Sequence, residues 1–123
     1  MHHIIEISVN NQLLKNPIRA KFCDTFFCRL RGLMFRKNIA LDEGLLLVQK
    51  RDSKTESSIH MLAVYMDLAV IWIDSTLSIV DVILAKSWRP GYFPAHPAMY
   101  TLEIHPDRIS EFKVGDKVSF NEI

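Results

Sequence analysis

The stretch Leu68-Ala-Val-Ile-Trp-Ile-Asp-Ser-Thr-Leu-Ser-Ile-Val-Asp-Val-Ile-Leu-Ala85 decides the fold. Leu68 to Ile73 is an unbroken apolar, β-branched run, as expected of a strand buried on both faces. Asp74-Ser75-Thr76 is a turn signal. Leu77 to Ala85 follows as a second strand, with Asp81 near its middle. A strand, a tight turn and a strand leave no room for a long intervening helix, so the chain is expected to be built from hairpins.

Working outward, the same grammar repeats. Ile4 to Val9 alternates in part, with Ile5, Ile7 and Val9 on one face and Glu6 and Ser8 on the other. Asn10-Asn11 is a turn, and Gln12 to Leu14 pairs back across it. Ile18 to Phe22, Gly44 to Val48, Ile59 to Tyr65, Met99 to Ile104 and Lys117 to Phe120 read as further strands. Asp67 marks the corner before Leu68. Lys50 to Ser58 is the most hydrophilic stretch and reads as an exposed loop. Arg89 to Pro97 holds three of the five prolines and reads as a rigid irregular loop. Pro106 to Phe112 is a short helix with Pro in its first turn.

One longer helix is expected near residues 25–35. Asp24 is its candidate N-cap. Phe26, Phe27, Leu30, Leu33 and Met34 fall at helical spacing and form an apolar stripe suited to burial. Cys28 points away from that stripe. Gly32 costs such a helix about 1 kcal/mol relative to Ala, which implies close packing there. The expected fold is a single mainly β domain over residues 1–123, a β-sandwich or barrel of short, mostly antiparallel strands with the helix covering one end.

Composition narrows the function. The chain of 123 residues can bury a real core. Fifteen cations against fourteen anions leave a net charge of +1, which argues against nucleic acid and anionic lipid as partners. The longest apolar run, Met61 to Ile73, is interrupted by Asp67 and too short to cross a bilayer. Glu6 interrupts what would be a secretory leader, so a cytoplasmic protein is expected. In that compartment Cys23 and Cys28 are expected as free thiols, and their spacing is a poor metal signal. No Gly-rich phosphate loop, nucleophile elbow, Cys/His dyad or metal motif is present, so no cofactor is expected and a binding module is favoured over an enzyme.

Four stretches together resemble one family. Arg29-Leu-Arg-Gly-Leu-Met-Phe-Arg36 matches an Arg-x-x-Gly-Leu-Met-x-Arg pattern at Arg29, Gly32, Leu33, Met34 and Arg36. Ser58-Ile-His-Met61, the run from Asp67 to Asp74 and Thr101-Leu-Glu-Ile104 complete it. The chain thereby resembles the domain of unknown function 192 across roughly residues 18–121. That resemblance implies a mostly β domain with a short helix plugging or covering one end. It implies no reaction, since none is established for the family.

The candidate site residues follow from side-chain chemistry. Arg29 and Arg36 share one helix edge, where paired guanidinium donors suit a carboxylate or phosphate; equally, they could pair with Asp67, Glu103 or helix-end carbonyls. Asp67 sits between apolar runs, and Glu103 lies on the strand face shared by Met99 and Thr101. If these two carboxylates converge they form the acid/base couple of a hydrolase or lyase, with His60 as a third weak candidate. Trp88, Tyr92 and Phe93 flank the Pro-rich loop and offer an apolar wall to a sugar-like ligand. The favoured expectation is a binding module in which Arg29, Arg36, Asp67, Glu103, Trp88 and Tyr92 meet a small anionic or sugar-like ligand. A protein-interaction or scaffold role, with an exposed sheet edge or the Arg89–Pro97 loop as the contact, is the other alternative.

Overall fold

The computed structural model describes residues 3–123. Eight strands form one curled, mixed sheet: β1 (Ile4–Val9), β2 (Gln12–Leu13), β3 (Arg19–Cys23), β4 (Glu43–Ser53), β5 (Leu68–Ile73), β6 (Ile79–Ala85), β7 (Ala98–Ile104) and β8 (Val118–Glu122). The order is β2-β1-β3-β4-β7-β5-β6, with β8 also pairing with β1. A bridge between Ser78 and Lys117 ties the start of β6 to the start of β8, so the sheet curls into a half-barrel. The mainly β expectation holds. The antiparallel expectation has one exception, because β3 and β4 run parallel. A parallel pair needs a crossover, and residues 24–42 supply it, carrying the helix α1 (Phe26–Arg31).

The pleat sends side chains to two apolar layers. Ile7, Ile71, Leu102 and Ile104 fill the first, capped by Phe112 after a 3-10 helix at Pro106–Glu111. Leu47, Met61, Val70 and Trp72 fill the second, covered by the chain between Leu33 and Val64. Every residue of β5 is therefore buried, as its uniform apolar sequence implies.

Three expectations are corrected. β4 continues through Ser53, into the stretch expected to be a loop. Residues 59–65 form no strand: Ile59 bridges Tyr92, and Met61 exchanges backbone bonds with Trp88 and Arg89. The side chains of Ile59, Met61 and Val64 cover the sheet face, so burial, not pairing, explains their apolar character. The helix is also shorter than the 25–35 expected, and Thr25 rather than Asp24 caps it, accepting from the Cys28 N–H at 3.2 Å.

Arg108, in the 3-10 helix that leads to Phe112, anchors the first layer. Its side chain is 7% exposed, yet it donates to the Glu111 carboxylate and to the carbonyls of Leu41 and Asn16. One guanidinium thus joins the 3-10 helix, the end of the crossover and the approach to β3. Such multiple pairing is what makes a buried cation tolerable.

Candidate functional site

β3 ends at Cys23, and the chain turns at Asp24 into α1. Gly32 stops the helix with φ of 49°, a left-handed value that most side chains resist. All six helical residues escape full burial. Phe26 and Phe27 are 70% and 78% exposed, and Leu30 is 52% exposed, which overturns the buried stripe expected of them. Of the stripe, only Leu33, past the helix end, is buried. With so little apolar anchorage, α1 is held by specific links instead. Cys28 is bonded to Cys23 rather than free and pointing outward. The Arg29 guanidinium donates to the carbonyls of Asp24 at 2.6 Å and Val48 at 3.2 Å.

Perching α1 in this way opens a cleft of about 600 Å³ against the parallel pair β3–β4. Lys21, Arg31 and Arg36 bring positive charge to it, and Phe22, Phe27 and Met34 bring apolar surface. Arg36 is engaged, with both Glu43 carboxylate oxygens at 2.9 Å and the Asn38 carbonyl at 3.1 Å. The side chains of Lys21 and Arg31 have no ion-pair or hydrogen-bond partner among the described residues.

Behind Gly32 lies a separate cavity of about 40 Å³, lined by Glu103, His60 and Ser58 among others. Glu103 is held between Leu45 of β4 and Val70 of β5. It is 4% exposed, and its Oε1 has no partner. Burial without compensation pushes its carboxyl up to about 7. His60 Nε2 lies 3.2 Å from the Leu30 carbonyl, while its Nδ1 is buried and unpartnered. A carbonyl only accepts, so the proton of neutral His60 sits on Nε2 and Nδ1 presents a bare lone pair.

The structure does not gather all the residues expected at the site. Asp67 is partly exposed and binds the Ser87 N–H at 2.9 Å and Lys86 Nζ at 3.4 Å. The Ser87 N–H, helped by Lys86, holds its carboxyl below the usual range despite partial desolvation. Asp67 lines neither the cleft nor the Glu103 cavity, so the two carboxylates are not brought together. Neither arginine of the motif pairs with them. Trp88 stacks edge-on against Tyr65 with ring centres 5.5 Å apart, and the Tyr92 hydroxyl accepts from the Lys86 N–H. Trp88, just before the Arg89–Pro97 loop, and Tyr92 and Phe93 within it do not line the cleft. Conversely, Lys21, Phe22 and Glu43 enter the cleft through the β3–β4 pairing, for which no local sequence signal exists.

Comparison with known proteins places this arrangement in context. Residues 6–120 match the DUF192 family, described as "Uncharacterized ACR, COG1430". A UPF0127 protein of Thermococcus kodakarensis is 38% identical over 104 residues, which are 83% of this chain and 64% of that one. The chain thus spans under two thirds of that relative. A UPF0127 protein of Pyrococcus furiosus is 34% identical over 109 residues, 86% of this chain and 90% of the other. Two crystal structures share the fold. A protein of unknown function from Novosphingobium aromaticivorans aligns with a TM-score of 0.82 at 21% identity, covering 94% of this chain and 84% of its own. A putative transcription regulator from Sinorhizobium meliloti aligns with a TM-score of 0.83 at 18% identity, covering 98% and 94%.

Proposed function

Because the chain belongs to the uncharacterised DUF192 family, we propose its function from geometry: a small binding module for an anionic or sugar-like ligand, held in the cleft between α1 and β3–β4. The observation that carries this reading is the pair of unengaged cations, Lys21 and Arg31, on a cleft whose volume lies within the range of small-molecule sites. Arg31 offers forked donors to a carboxylate or phosphate, and Lys21 adds a mobile point charge. Phe22, Phe27 and Met34 cover the ligand's apolar face. Arg36 belongs to the wall, fixed by Glu43. Arg29 positions the helix.

Titration with citrate, sugar phosphates and neutral sugars, followed by amide chemical shifts, tests the proposal. Saturable shifts at Lys21, Arg31 and Gly32 are expected for an anionic ligand, and the Lys21→Ala/Arg31→Ala double variant loses them. No saturation at millimolar ligand would sink the reading, as would shifts indifferent to that variant.

The cytoplasmic placement expected from the sequence belongs to this proposal too. No helix of the described residues is long and apolar enough to cross a membrane. A Cys23–Cys28 bond is characteristic of oxidising compartments. Mass spectrometry of the alkylated protein from cells therefore tests the placement: a fully oxidised pair would count against it.

A further inference from the structure

We propose that the cavity behind Gly32 is a second binding site, which takes a compact primary ammonium group between Glu103 and His60. Both unpartnered atoms there are acceptors: Oε1 of Glu103, and Nδ1 of His60 once Nε2 donates to Leu30. The Ser58 hydroxyl does not answer them, since it donates to the Thr55 carbonyl at 2.6 Å. Two unpartnered acceptors on residues that line one small space call for a group with at least two donors. A buried carboxylate with no counter-ion also calls for positive charge, because an unpaired charge away from water is costly.

A primary ammonium meets both demands, with three donors on one small cation. The space suits it. A cavity of about 40 Å³ exceeds the roughly 10–15 Å³ that one water needs on the same measure, leaving room for a nitrogen and a carbon. Gly32 sets the depth, since a Cβ built there would lie 3.8 Å from Glu103 Oε1. Arg29 and Arg31 also line the cavity. Arg29 directs its guanidinium to two backbone carbonyls, and neither arginine bonds Glu103. Their charge opposes a cation, so the ammonium must be held by direct bonds to Glu103 and His60. The cavity shares Arg31, Gly32 and Leu33 with the anion cleft, but the two acceptors that would hold the ammonium, on Glu103 and His60, do not line that cleft.

Methylammonium chloride is the probe. The Glu103 carboxyl is followed by carbon NMR and His60 Nδ1 by nitrogen NMR, with tetramethylammonium and acetamide as controls. Methylammonium is expected to saturate, to shift His60 Nδ1, and to lower the Glu103 midpoint by about one pH unit or more, a tenfold change in proton affinity. Tetramethylammonium, which has no donor, is expected to do neither. Glu103→Gln and His60→Ala each weaken binding about tenfold or more, whereas Lys113→Ala, at a residue lining neither the cleft nor the cavity, leaves it unchanged. Having two variants guards against one failing to fold. Equal effects of tetramethylammonium overturn the proposal, as does stronger binding of acetamide. It is also overturned if Glu103 and His60 titrate as one coupled pair indifferent to methylammonium, which would mean that they satisfy each other.

Discussion

Replacing Glu103 by Gln removes a titratable group from the middle of the sheet while keeping its shape. The folded protein raises this carboxyl from its ordinary 4.5 to about 7 by burial. In the unfolded chain the group returns to its ordinary value. Between these two pH values the folded state keeps the proton that the unfolded state gives up. Stability from this group is therefore fully present below about pH 4.5, declines as pH rises, and is lost by about pH 7. The displacement corresponds to about 3 kcal/mol at pH 8. Glu103→Gln, being neutral throughout, should match the parent near pH 4 and exceed it by up to about 3 kcal/mol at pH 8, or roughly 10 °C in Tm for a domain of this size. Urea unfolding across pH 4 to 9 measures it. The difference between the two proteins should grow across that window and then level off. Parallel pH curves, or a variant weaker than its parent at pH 8, would refute the reasoning, because Glu103 would then have a partner in the folded state.

Two further outcomes are expected. Arg108→Ala should cost about 3–5 kcal/mol in urea unfolding, because it strands the Glu111 carboxylate and the carbonyls of Leu41 and Asn16 together. A loss under about 1 kcal/mol would mean that these groups reach water. Reducing Cys23–Cys28 should cost about 2 kcal/mol, the chain-entropy value for so short a loop. Because α1 has no buried residue, its amides should exchange faster on reduction while those of β5 keep their protection.

The sheet was legible because period-two patterning and turn residues are local signals. β1, β5, β6 and β7 fall within a residue or two of where Ile4–Val9, Leu68–Ile73, Leu77–Ala85 and Met99–Ile104 put them. The face of Glu103 was legible for the same reason, since parity along β7 separates it from Leu102 and Ile104. Its lack of a partner was not, because that depends on which residues β4 and β5 bring alongside. The segment from Ile59 to Tyr65 misled because apolar residues that cover a sheet resemble residues that pair within one. The α1 stripe misled differently. Helical spacing describes a face without saying what lies opposite, and here the crossover holds that face out toward solvent. The cleft depends on the parallel register of β3 against β4, a long-range choice with no local trace.

The pairing of β1 with β8 joins Ile5 to Glu122, nearly the whole chain apart. Such a contact forms only after the entropy of closing a loop of more than 100 residues has been met. Non-local pairing of this kind slows folding. Until β8 arrives, the side of β1 that receives it is an open edge, able to accept a strand from another molecule. During synthesis that edge exists from the moment β1 is made, while its proper partner emerges more than 100 residues later. For this architecture the hazard of misassociation thus lies in the timing of folding, not in the finished surface.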